Sequence, residues 1–150
     1  AQKAMRVLAA LGDADQGQAC VIRKQSEVAR EGADGTDAML ARLAIDHPAP
    51  PELWQGDTAD LTAAATAWFR DLAEVSHKGL AAGGILFKGP KPDQERRADL
   101  PTIGPGTALG AALAGLDGIV IEANGVIALE AARVVALLNA ANMFLWSRKP

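Results

Sequence analysis

Gly118-Ile119-Val120-Ile121-Glu122-Ala123-Asn124-Gly125-Val126-Ile127-Ala128-Leu129 places two apolar, β-branched runs on either side of an Asn-Gly pair. Residues of that kind suit a pleated, half-buried surface. Asn-Gly favours the type I′ turn, which needs φ > 0 at both central positions. The stretch therefore predicts a hairpin, with a strand over 118–122 and a return over 126–129. Upstream, Thr102-Ile103-Gly104-Pro105 leads into a helical pattern through Ala114. Downstream, Glu130 to Asn139 reads as a helix and Met143-Phe144-Leu145-Trp146 as a last strand. Strands and helices that alternate around a hairpin point to a mixed α/β fold. The expected architecture is a mixed β-sheet with flanking helices in one layered domain, rather than a bundle or a sandwich.

The rest of the chain fits that frame. Met5, Leu8 and Leu11 have helical spacing, and Gly12 is a plausible stop. Ala19-Cys20-Val21-Ile22 reads as a buried strand, and Ser26 to Glu31 as a half-exposed return. Thr36 is placed to cap a helix running through Ala44. His47-Pro48-Ala49-Pro50-Pro51 is a stiff connector. From Asp57 to about Leu80 the pattern is helical again, with Leu61, Ala64, Ala65, Trp68, Phe69 and Leu72 on one face. Residues 46–80 are thus expected to form a helical insertion packed on one side of the domain. Ile85-Leu86-Phe87 fits a buried strand. The segment from Lys88 to Pro101 is charged and Pro-rich, so it suits neither a regular helix nor a central strand.

Composition narrows the function. The chain has 150 residues, with 15 basic and 18 acidic side chains and a formal charge of −3. That balance argues against general nucleic-acid binding, which needs clustered positive charge. A single Cys excludes an internal disulfide framework or a multi-Cys zinc site. Cys20 lies inside an apolar run and reads as a core residue, and His47 and His77 read as solvated surface residues. No dinucleotide-binding glycine fingerprint, P-loop or serine elbow occurs.

Carboxylates, bases and Gly-rich turns remain. Asp15, Glu31, Asp34 and Asp37 flank the first Gly-rich break, Glu95 and Asp99 lie in the basic Pro-rich segment, and Glu122 ends an apolar strand. Mg²⁺ takes one or two carboxylates plus water and substrate phosphate. Lys88, Lys91, Arg96 and Arg97 suit phosphate oxygens, Arg bidentately. Acidic ligands and basic clamps without a covalent nucleophile are what metal-assisted attack on a phosphoryl group needs. The bland alternative is that Asp34 and Asp37 cap a helix and that Glu95 and Arg96 form a solvated loop face.

The segment Lys88-Gly89-Pro90-Lys91-Pro92-Asp93-Gln94-Glu95-Arg96-Arg97-Ala98-Asp99-Leu100-Pro101-Thr102-Ile103-Gly104-Pro105 adds a resemblance. It resembles the K-x-P-K-P-G-Q-D-x-R-x-D-L-P-T-I-G-P signature of the bacterial two-domain UDP-2,3-diacylglucosamine pyrophosphatases of lipid A biosynthesis. That family is unrelated to the calcineurin-like enzymes with the same activity. Gly17-Gln18, Glu31 with Gly35-Thr36-Asp37, and Ala114 to Ala123 resemble its other elements. Asp93, Glu95 and Asp34 depart from the pattern, standing where it has Gly, Asp and Glu.

The resemblance is to the C-terminal domain, so the family's N-terminal domain is expected in a longer protein. It implies hydrolysis of the pyrophosphate of UDP-2,3-diacylglucosamine to UMP and 2,3-diacylglucosamine 1-phosphate, with Mg²⁺ or Mn²⁺. Carried onto this sequence, the catalytic residues are Asp99, Arg97 and Lys88. Lys91, Gln94, Thr36, Gln18 and Thr102 bind substrate, and Asp99, Asp37 and Glu122 hold the metal. Asp15, Thr36, Asp37, Lys88, Gln94, Arg97 and Asp99 are expected to converge on one surface. A cytoplasmic enzyme at the inner face of the inner membrane follows. Its expected partners are the lipid-bearing substrate and product, with a homodimer and peripheral membrane contact, and no nucleic acid. The competing class is a non-catalytic ligand-binding or interaction domain that keeps the fold.

Overall fold

Period-two burial organises the sheet. In Ala19-Cys20-Val21, Leu86-Phe87 and Ile119-Val120-Ile121, alternate side chains go to two different apolar clusters. The computed structural model of the protein describes residues 2–13, 17–47, 49, 53, 58–76, 83–91 and 100–149. The strands are β1 (Ala19–Arg23), β2 (Ser26–Arg30), β3 (Ile85–Lys88), β4 (Thr102–Ile103), β5 (Gly118–Glu122), β6 (Ile127–Ala128) and β7 (Phe144–Arg148). The helices are α1 (Gln2–Asp13), α2 (Gly35–Ala41), α3 (Thr58–Ser76), α4 (Pro105–Leu113) and α5 (Ala131–Ala140).

A five-stranded sheet has the order β2-β1-β3-β5-β7. β1 is antiparallel to β2 and β3, whereas β3, β5 and β7 run parallel. Ala19, Val21, Leu86, Ile119 and Ile121 face one side, where they join buried residues of α2, α3, α4 and α5. Cys20, Phe87 and Val120 face the other side, against Ala4 and Leu8 of α1. The mixed sheet with flanking helices expected from sequence is therefore the observed fold.

The Asn-Gly hairpin is not. The chain turns there, but around Ala123-Asn124: Asn124 has φ 60° and the Gly125 N–H donates to the Glu122 carbonyl at 3.2 Å, while Gly125 does not take the positive φ that a type I′ turn at Asn124-Gly125 needs. Nor does β6 pair with β5. It pairs in parallel with β4, Thr102 opposite Ile127. The reason is edge occupancy: β5 already bonds β3 on one side and β7 on the other. Gly125 is buried under the chain that leaves β3, and a Cβ there would stand 2.9 Å from Pro90 Cδ. The hairpin of this fold lies instead at Lys24-Gln25, both with φ > 0 and neither a Gly.

α3 falls within the helix expected from Asp57, and residues 77–82 lie outside the described residues. Its Leu61, Ala65, Trp68, Phe69 and Leu72 are buried in the same cluster as Val134, Leu137 and Leu138 of α5. His47 is half-buried rather than solvated, because its ring stacks on Trp68 with centroids 5.5 Å apart. His77 lies outside the described residues.

Cys20 is the core residue its setting suggests, fully buried with its thiol toward α1. Burial pushes the thiol pKa up to about 12. A thiolate, not a thiol, attacks a disulfide reagent. The native chain should therefore react negligibly at about pH 8 and release one equivalent on unfolding. Rapid labelling of native Cys20 would contradict the buried position.

Candidate active site

Parity along a strand decides where the chemistry goes. Lys88 shares the side of β3 that carries Leu86, so its side chain enters the helix layer, and only 8% of it is exposed. There Lys88 Nζ donates to the Thr36 hydroxyl at 2.6 Å. Thr36 in turn donates to Glu31 Oε1 at 2.7 Å, and the Gln18 N–H donates to Glu31 Oε2 at 2.6 Å. Four residues from three segments thus form one buried polar chain.

Thr36 was expected to cap a helix. Instead Asp34 holds the cap position of α2, without a side-chain cap bond, and pairs with Arg42. Thr36 sits in the first turn of α2, turned inward. Asp37 follows it and is exposed. The Arg42 guanidinium holds the Asp34 carboxyl below its usual range.

These groups border a cleft of about 330 Å³. Its other walls are Thr102 of β4 and the start of α4, at Gly104, Gly106 and Thr107. Pro105 takes the first helical position, where no N–H is needed. The Thr107 hydroxyl lies 3.4 Å from the Gly104 N–H and 3.5 Å from Asp37 Oδ1. A helix N-terminus favours negative charge, so α4 and Lys88 present an anion-binding corner. Burial holds the Lys88 pKa below the ordinary lysine value, while the charges of Glu31 and Asp37 oppose that shift. Charged Lys88 therefore costs stability below its folded pKa. The cost fades as pH rises through that pKa toward the unfolded value.

Of the residues expected to converge, Lys88, Thr36 and Asp37 meet in this cleft, and Thr102 joins them. Gln18 enters through its backbone. Lys91 and Glu122 border a neighbouring depression of about 190 Å³, floored by Met5, Leu8 and Val120. Glu122 follows Ile121, the register partner of Lys88, so its side chain falls on the opposite side of the sheet. Asp15, Gln94, Arg97 and Asp99 lie outside the described residues, as do Glu95 and Arg96. Glu31 and Thr107 were absent from the expected site. Glu31 was legible as a carboxylate at the end of a half-exposed strand, and Thr107 had no signal beyond its place after Gly104-Pro105.

Among the described residues no three His, Cys, Asp or Glu side chains cluster as metal ligands. The donor set still fits a divalent ion in one manner. Mg²⁺ needs only one or two protein carboxylates when substrate phosphate completes its shell. Asp37 supplies one exposed carboxylate beside the anion-binding corner.

The chain is 36% identical over 149 residues to the UDP-2,3-diacylglucosamine pyrophosphatase LpxI of Caulobacter vibrioides. The match takes in 99% of this chain and 44% of that protein, so the chain spans less than half of its relative's length. The family model described as the LpxI C-terminal domain matches residues 1–146. The chain belongs to the LpxI C-terminal domain family.

Proposed function

We propose that this chain is the part of a UDP-2,3-diacylglucosamine pyrophosphatase that binds and cuts the pyrophosphate. The products are UMP and 2,3-diacylglucosamine 1-phosphate, and the step belongs to lipid A biosynthesis. The observation that carries the reading is Lys88, buried at a cleft that the N-terminus of α4 also borders. An ammonium has three N–H donors. One goes to Thr36, and the others serve phosphate oxygens in the cleft. Charge that grows on those oxygens in the transition state is stabilised by donors already in place.

Thr36 acts through Lys88, Thr102 contacts substrate from β4, and Arg97, Gln94 and Lys91 clamp it from the segment after β3. Asp37, with Asp99 as a second carboxylate, would hold Mg²⁺ or Mn²⁺, which neutralises phosphoryl charge when bound. Asp37 is preferred to Glu122 because it shares the cleft with Lys88. The enzyme works in the cytoplasm, at the inner face of the inner membrane where a diacylated substrate resides. Among the described residues no helix is long and apolar enough to cross a membrane.

The test is UMP release from UDP-2,3-diacylglucosamine by the full-length protein with each ion. Release supports the reading. Binding without release supports the non-catalytic alternative, and neither binding nor release overturns both. In the same assay Asp99→Asn should lower turnover by about 10², the scale of a lost electrostatic group. Affinity and melting temperature should be nearly kept. Unchanged turnover would remove Asp99 from the mechanism.

A further inference from the structure

We propose that Glu31 is a positioning residue for the hydrolysis, holding Lys88 through Thr36 and the chain after Lys88 through Gln18. The proposal rests on the pyrophosphatase reading of the cleft. Glu31 follows β2, and its N–H bonds the Ala19 carbonyl at 2.9 Å, so its backbone is fixed by the β1–β2 pair. Its side chain is buried, and the two oxygens work in different directions.

Oε1 accepts from Thr36 at 2.7 Å. A carboxylate is an acceptor only, so the hydroxyl proton must point at Glu31. That leaves the Thr36 lone pairs to Lys88, whose Nζ lies 2.6 Å away. The polarity of the chain is thereby set, and with it the direction of the ammonium. Oε2 accepts the Gln18 N–H at 2.6 Å, and the Gln18 carbonyl accepts the Gly89 N–H at 3.1 Å. The close approach requires Gly17, where a Cβ would stand 2.7 Å from the Glu31 carbonyl oxygen. One carboxylate thus grips Lys88 by its side chain and Gly89 by its backbone. Gly89-Pro90-Lys91 then leads to the segment holding Gln94, Arg97 and Asp99.

Packing alone would not call for this residue. A buried carboxylate is costly unless it is bonded, and an apolar residue would fill the space without that cost. What a carboxylate adds is its acceptor-only character and its charge near Lys88.

The test uses the full-length protein with Glu31→Gln and Glu31→Asp. Gln keeps the shape and one acceptor but turns an N–H₂ toward Thr36, competing with Lys88 for the hydroxyl. It also removes a charge that raises the Lys88 pKa. The expected result is a fall in kcat of about tenfold or more with KM within about threefold, the pattern of an interaction realised in the transition state. The alkaline limb of the kcat profile should move to lower pH. Glu31→Asp keeps the charge but cannot span both partners, so kcat should fall while the alkaline limb stays.

Wild-type kcat and an unmoved limb in Glu31→Gln would overturn the proposal. So would a loss matched by a collapsed melting temperature with the limb unmoved. If Glu31→Gln does not fold, Glu31→Asp decides: a native melting temperature with lowered kcat supports positioning, and unchanged kcat overturns it. Failure of the pyrophosphatase reading is separate, because the wild-type protein would then release no UMP.

Discussion

Lys88→Met in the full-length protein should lower turnover by about 10³, with the fold kept. Methionine fills the path of the lysine stem but brings no charge or donor. A lost donor aimed at a developing oxyanion costs roughly 3–4 kcal/mol of transition-state stabilisation. Two stability effects oppose each other. Removing Lys88 relieves the desolvation that lowers its pKa, and it also takes a nearby cation from Glu31. The melting temperature should therefore move little compared with turnover. Lys88→Arg should rescue poorly, because the guanidinium fork is bulkier than the ammonium that Thr36 holds. Turnover within about tenfold of wild type in Lys88→Met would place the reaction elsewhere, since a residue contacting the transition state costs more.

Leu40→Ala should cost about 3 kcal/mol, within the usual range for emptying a core leucine site. Leu40 is fully buried on α2 and faces α4, where a Cβ built on Gly110 would lie 3.3 Å from its Cδ1. The two helices meet this closely because Gly110 has no side chain, so the cavity cannot close by a rotamer change alone. α2 carries Thr36 and Asp37, and α4 borders the same cleft. Loosening one helix on the other should therefore also weaken substrate binding. Urea unfolding of this chain would measure the loss as a lower midpoint at unchanged slope. A loss below about 1 kcal/mol would mean that the helices collapse onto the gap.

Local pattern carried much of the fold. The apolar runs at 19–22, 85–87 and 118–122 are visible without any partner, because a strand buried on both faces reads as a continuous apolar run. The helical face of Leu61, Ala65, Trp68, Phe69 and Leu72 is legible for a similar reason. Pairing is not local. Asn124 takes a positive φ, but the type I′ turn that Asn124-Gly125 favours does not form, and no preference in those residues reports that β5 has no open edge. Lys24-Gln25 makes the hairpin with no glycine to announce it, since the β1–β2 pair forces the positive φ values.

The site divides along the same line. Sequence by itself determined the alternation of elements, the burial of Cys20 and the family-like run from Lys88 to Pro105 that singled out Lys88. By its apolar run β3 ends at Phe87; pairing with β1 and β5 carries it on through Lys88 and so puts Lys88 on the side of Leu86. Only the tertiary structure decided that this side leads to Thr36 and Glu31, and that Lys88 pairs in register with Ile121. That register sends Glu122 to the opposite side of the sheet. Side-chain direction within a strand is set by covalent geometry over two residues. The partner at its tip is set by packing between segments dozens of residues apart, which no local pattern encodes.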